Sequence, residues 1–204
     1  MLFRRTPLAS ARWVAIDCET SGLDMARDRL LSVGAVAVAD GRIDLGRSYH
    51  AFVQQEAASA PENILIHGIG GDAQRQGRPL GEVIDALGAF VDEAYPVGFH
   101  APFDAGILRR HGLRLKNDWL DLAQAAPALF PDRQLRNTLE DWLAAFGIAV
   151  HARHDALGDA LSTAQLLLVA LAEANRQRLP TVEAMYKIKD AGRWLAPSHA
   201  GWSK

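Results

Sequence analysis

"WVAIDCETSGLD" (residues 13–24) begins as a covered strand and then stops reading as one. Trp13 to Ile16 are apolar and suit a sheet buried on both faces. Asp17 and Glu19 follow at a spacing of two, where the apolar run ends. Side chains alternate along a strand, so both acids project from one side while Cys18 points the other way. Two carboxylates side by side near a core repel each other and are costly to desolvate. Acids at the carboxyl end of a core strand stand where α/β sheets build their sites.

Around this strand, the order of elements specifies the fold class. Residues 12–17 read as the first strand and 29–40, rich in Val and Ala, as the second. Asp40-Gly41 is a hairpin-turn signal, so residues 42–53 should return antiparallel as a third strand. Residues 54–79 are polar and Gly-rich and predict loops with short helical turns. Val83, Ile84, Leu87, Phe90 and Val91 give residues 80–94 a helical period. A short fourth strand is expected at 95–100, then a helix through "FDAGILRRHG" that Gly112 stops. "DWLDLA" reads as a fifth strand passing into a helix, and residues 138–146 and 155–176 as two more helices. Beyond Pro180 the chain changes character, toward a short extra helix and a loose end. A hairpin followed by alternating helix and strand predicts an α/β fold, a mixed sheet flanked by helices. The boundaries expected are a domain over residues 1–178 and an extension over 179–204.

The chain has 204 residues, enough for one α/β domain with a full core. Its formal net charge of -2 argues against a protein that coats polyanions, yet leaves room for an enzyme that grips a few nucleotides in one cleft. The single cysteine, Cys18, precludes an internal disulfide and fits a reducing cytoplasm. No apolar h-region follows the basic start, so no secretory signal is expected. The longest apolar run, "LLLVALA", is too short to span a membrane, and no membrane association is expected.

Two further clusters join the acid pair. "GFHAPFD" (98–104) places Asp104 after the fourth strand and near a helix start, where it reads as a cap or as a ligand. "HARHDALGDA" (151–160) carries His154 and Asp159, five apart and so not stacked on one helix face. From a loop or first turn, however, His154 would reach a site that Asp159 lines. Asp155 reads as a helix cap. Four acids in this setting suit two divalent cations, Mg²⁺ or Mn²⁺, which would neutralise the acids and assist attack on a phosphodiester. A histidine is the natural general base for the attacking water.

These motifs resemble the DnaQ-like 3′–5′ exonucleases of the DEDDh group, related to the proofreading subunit of bacterial DNA polymerase III and to ribonuclease T. The match lies in "DCETSGLD", "FHAPFD" and "HDALGD", the last being H-x-A-x-x-D, and covers roughly residues 10–175. That pattern picks His154 through Ala156 and passes over His151. The resemblance implies a ribonuclease H-like five-stranded sheet and release of nucleoside monophosphates from the 3′ end of single-stranded DNA or RNA. Asp17, Glu19, Asp104 and Asp159 would be the metal ligands and His154 the base. Thr20 would contact the sugar 3′-hydroxyl and Leu23 would wedge against a base, with His67, His100 and Phe103 as further substrate contacts. A DNA polymerase or a clamp is the implied protein partner. The second motif departs from the common H-N-A-x-F-D: Phe99 stands where His is common and His100 where Asn is common. Asp121 matches a recurring acid of the family and reads as structural.

Two other readings compete. A haloacid-dehalogenase-type phosphatase also opens on paired acids at a strand end, but it needs an Asp where this chain has Glu19. An exonuclease-like domain kept for binding or assembly would often have lost one of the four acids or the histidine, and all five are present.

Overall fold

The computed structural model describes residues 5–57, 59, 64, 68–133, 135–150 and 154–195. Five strands form one sheet: β1 (Trp13–Thr20), β2 (Leu30–Ala39), β3 (Arg42–Phe52), β4 (Tyr95–Gly98) and β5 (Leu120–Asp121). Their order is β3-β2-β1-β4-β5, with β2 antiparallel to both β1 and β3, and β4 and β5 parallel to β1. Seven α-helices among the described residues flank it: α1 (Gly71–Arg75), α2 (Leu80–Val91), α3 (Pro102–Arg110), α4 (Leu122–Leu129), α5 (Leu139–Ala145), α6 (Ala156–Arg176) and α7 (Val182–Leu195). The mixed, helix-flanked α/β sheet is the one the sequence predicts.

Strand periodicity sorts the core into two layers. Trp13 and Ala15 of β1, with Val36 and Val38 of β2, face one cluster, which α4 to α7 cover. Val14, Ile16 and Cys18, with Val33 and Ala35, face the other, beneath α2 and α3. The Asp40-Gly41 turn has positive φ at both residues, 52° and 68°, as a tight hairpin between right-twisted strands requires. The outer strand β3 is mostly exposed, and a register shift opposite Val36/Ala37 makes its edge irregular, which discourages pairing with another chain.

Local chemistry fixes the helix ends. Asp121 caps α4 by accepting from Ala123 N–H at 3.0 Å, and Thr138 caps α5 by accepting from Asp141 N–H at 3.2 Å. Pro127 lies inside α4 and has no N–H to give the Ala123 carbonyl one turn back. Asn137 supplies it instead, donating from Nδ2 at 3.0 Å, while its Oδ1 accepts from the buried Trp142 indole at 2.9 Å. Val182 and Met185 of α7 are buried in the same cluster as α4 and α6, and Val182 N–H donates to Thr6 O.

Two expectations change. β1 runs on through Thr20 and does not end at Asp17, because β2 pairs with it as far as Thr20 opposite Leu30. The acids therefore stand within the last four residues of the strand. By length and composition α6 alone among the described residues is long and apolar enough to cross a membrane; a continuous apolar run misses this because Gln165 and Glu173 bound it. Ala160, Ala164, Leu166, Leu167, Ala170 and Ala174 bury its inner face, so α6 is a core helix.

Candidate active site

Asp17 and Glu19 prolong the row of Trp13 and Ala15, so they project toward the layer that holds α6. At Gly34 the backbone of α6 presses onto the sheet: a Cβ on Gly34 would lie 2.2 Å from the Ala156 carbonyl oxygen. Gly34 is the cross-strand partner of Asp17. Glycine thus lets the start of α6 sit directly over the acid-bearing end of β1.

The turn before α6 is built for this position. Asp155 is its cap and accepts from Gly158 N–H at 2.8 Å, as expected. His154 precedes it with φ 56°, in the left-handed region, and its N–H donates to Asp159 Oδ2 at 3.1 Å. This kink brings the exposed imidazole back over the helix. One donor atom each from Glu19, His154 and Asp159 lie within 4.8 Å of one another. Residues 135 positions apart in the chain thus meet in one cluster, and the loop route for His154 is the one taken.

Asp104 arrives from the other layer. It does not cap α3: the N-cap is Ala101, with no side-chain cap bond. Asp104 is 5% exposed, and its Oδ1 accepts from Cys18 N–H at 3.1 Å, between the two acids of β1. Asp121 is structural, as read. Its Oδ1 takes His100 N–H at 3.0 Å and Ala101 N–H at 3.4 Å besides Ala123 N–H, and so holds the turn before α3. That turn has φ 60° at His100, a conformation for which Asn is enriched.

Burial raises the acids, and for Asp17 and Glu19 the neighbouring acids of the set add to it. Burial, then Asp159, Asp104 and Asp155, pushes Glu19 up to about 8. Burial lifts Asp104 to about 7 although its bonds from Cys18 pull the other way. Asp17 is held well above the usual carboxylate range by burial and then by Asp104, Asp159, Glu19 and Asp155. Asp159 is raised by burial, against which its bond from His154 acts. The charged groups acting on Asp17 and Glu19 are themselves acids, and only His154 opposes them, at Asp159. A hard oxygen set with one imidazole, short of positive charge, fits divalent cations.

A cavity of about 520 Å³ is lined by Leu23, Met25, His100, Pro102, Phe103, Asp121 and Gln124, with Phe103 next in sequence to Asp104. Three residues expected to touch substrate, Leu23, His100 and Phe103, share it. Thr20 stands at the end of β1, where its hydroxyl donates to Gly22 O at 2.6 Å. His67 and His151 lie outside the described residues. Met25, Pro102 and Gln124 escaped the sequence reading, and nothing in their local pattern marks them.

A family model described as exonuclease matches residues 14–167, which include every one of these residues. The chain belongs to the DnaQ-like exonuclease family. It is 28% identical over 203 residues to a DNA polymerase III subunit epsilon-like protein of Rhodobacter capsulatus, covering 96% of this chain and 29% of that protein. To DNA polymerase III PolC-type of Thermotoga maritima it is 27% identical over 185 residues, covering 88% of this chain and 13% of that one. The chain thus spans less than a third of these relatives. Among solved structures, Exonuclease X in complex with 5′ overhanging duplex DNA matches with a TM-score of 0.70 at 23% identity, over 87% of this chain and 99% of that one. E. coli Exonuclease I in complex with a dT13 oligonucleotide matches with a TM-score of 0.68 at 21% identity, over 82% and 42%. The fold is that of these ribonuclease H-like exonucleases, and family membership removes the ground for the phosphatase reading.

Proposed function

We propose that the protein is a metal-dependent 3′–5′ exonuclease that releases nucleoside monophosphates from single-stranded DNA or RNA ends. The observation that carries this reading is the meeting of Glu19, His154 and Asp159 within 4.8 Å, from two strand-and-helix ends distant in sequence. Asp17, Glu19, Asp104 and Asp159 would hold two cations, Mg²⁺ or Mn²⁺. When bound, these would offset the acids' repulsion and polarise the scissile phosphodiester.

The chain's own groups then divide the work. His154, exposed beside Glu19 and Asp159, accepts the proton of the attacking water. Asp159 fixes that histidine's backbone through the 3.1 Å bond. Thr20 has already committed its proton to Gly22 O, so its oxygen is left to accept from a sugar 3′-hydroxyl. The terminal base enters the cavity between Leu23 and Phe103, and Leu23 stands 66% exposed as a wedge would. The DNA named with the structural neighbours supports DNA as a substrate, and the polymerase names of the relatives support work beside a DNA polymerase or its clamp. The one buried Cys18 fits a reducing cytoplasm.

The test is trimming of 5′-labelled DNA and RNA oligonucleotides with Mg²⁺, with Mn²⁺ and with EDTA, beside Asp17→Ala and His154→Ala. A ladder shortening from the 3′ end, dependent on metal and lost in both variants, is expected. A folded protein that gives no ladder with either metal would leave binding or assembly as the role.

A further inference from the structure

Leu23 and Met25 are 66% and 46% exposed, and both line the cavity. Leu23, the more exposed of the two, is little held by packing, so its place is set by the backbone that carries it. That backbone is the loop between β1 and β2, residues 21–29. Its internal bonds converge on the Asp28 carboxylate, which takes Ser21 Oγ–H at 2.8 Å and Asp24 N–H at 2.7 Å. Ser21 Oγ in turn accepts from Arg29 N–H at 2.9 Å. Gly22 leaves room for this hub, since a Cβ there would lie 2.6 Å from Asp28 Oδ2.

These bonds shape the loop. Arg29 Nη1 ties its far end to the Ala57 carbonyl at 2.8 Å, and α3 fastens the stretch that follows Leu23. Arg110, in its last turn, donates from Nη1 to the Met25 carbonyl at 2.6 Å and from Nη2 to the Asp28 carbonyl. His111 Nε2 lies 3.0 Å from the same guanidinium. One turn earlier, Gly106 seats the Met25 side chain: a Cβ there would lie 2.7 Å from its sulfur. The same helix carries Asp104 in its first turn, and its Pro102 and Phe103 line the cavity that Leu23 and Met25 also line.

We propose that Arg110 is a positioning residue for the nucleic-acid end, tying the wall that carries Leu23 to the helix that carries Phe103 and so fixing the slot between them. The proposal rests on the exonuclease reading. A guanidinium suits the task because its rigid fork reaches two carbonyls at once, which a lysine ammonium does not. The acids do not depend on this latch: Asp17 and Glu19 are held in β1, and Asp104 is bonded to Cys18 N–H. Losing it therefore weakens the grip on an oligonucleotide and spares cleavage.

The experiment compares Arg110→Met and Arg110→Lys with the unaltered protein on a single-stranded oligonucleotide with Mn²⁺. For Arg110→Met, KM should rise about tenfold with kcat within about twofold, and Arg110→Lys should fall between. Hydrolysis of bis(4-nitrophenyl) phosphate, which carries no base to enter the slot, should stay within about twofold for both variants. Trypsin cleavage after Arg27 or Arg29 should quicken in Arg110→Met. An unchanged KM with unchanged proteolysis, or an equal loss on the small ester, would overturn the proposal. If the unaltered protein trims nothing, the exonuclease reading fails and takes the substrate role of Arg110 with it, while proteolysis still reports on the latch.

Discussion

Gly34→Ala is a single methyl group aimed at the joint between sheet and site. Its Cβ would lie 2.2 Å from the Ala156 oxygen, 2.3 Å from the Ala156 carbonyl carbon and 2.4 Å from the Leu157 nitrogen. All three are backbone atoms, so no side chain can swing away. To restore even a close contact of 3.4 Å, the start of α6 must retreat by about 1.2 Å. Alanine is the better strand former by roughly 0.5–1 kcal/mol. Overpacking a tight core costs about 1–3 kcal/mol, so the clash wins and stability falls by about 1–2 kcal/mol. The larger effect is on the site, because α6 carries Asp159 and its preceding turn carries His154. A displacement near 1 Å costs on the order of a hundredfold in rate. Initial rates of oligonucleotide trimming, Mn²⁺ titration calorimetry and thermal melting would follow the variant. Gly81→Ala, whose Cβ would meet nothing within 4 Å beyond its own helix, serves as the control and should keep rate and Mn²⁺ affinity. Wild-type rate and Mn²⁺ affinity in Gly34→Ala would refute the idea that this close approach sets the geometry of His154 and Asp159.

Three other outcomes are expected. Because Glu19 and Asp104 ionise in the fold only near about 8 and 7, the metal-free fold binds more protons than the unfolded chain from about pH 4 upward. The melting temperature in EDTA should thus fall between pH 5 and 8.5, whereas saturating Mn²⁺ should flatten the curve; a rise in EDTA would contradict the electrostatics. His154→Gln should lower kcat by about 10²- to 10⁴-fold with Mn²⁺ affinity intact, since a base does not hold the metal; a matching fall in affinity would make His154 a ligand. Asp121→Ala would strip His100, Ala101 and Ala123 N–H of their acceptor and cost about 2–4 kcal/mol in urea denaturation.

The fold was legible wherever local and tertiary preferences agree. The Asp40-Gly41 hairpin, the stop at Gly112 (φ 101°) and the Asp155 cap each carry a local chemistry that the structure uses. The length of β1 was not legible, because Asp17 and Glu19 look like a strand's end and only pairing with β2 keeps them in the ladder. Asp104 misled as a possible cap, since a first-turn acid looks the same whether it serves its own helix or a strand across the core. Gly34 did carry a signal, a glycine inside a Val- and Ala-rich strand, which marks a close backbone approach.

The acids and their supports differ in legibility for one physical reason. Gathering the half-buried Asp17, Glu19 and Asp159 with the buried Asp104 violates the ordinary rule that charges are paired or solvated, and a violated rule is visible in sequence. Arg110 violates nothing. It is an exposed arginine in the last turn of a helix, the place the helix dipole already favours for a cation. Its partners are two backbone carbonyls, which have no residue identity to reveal them. Met25 and Gln124 are equally silent, since a cavity wall belongs to the three-dimensional arrangement and to no local pattern. Residues proposed to do the chemistry are thus found by the local rule they break, and residues that shape the slot beside them are found only once the chain is folded.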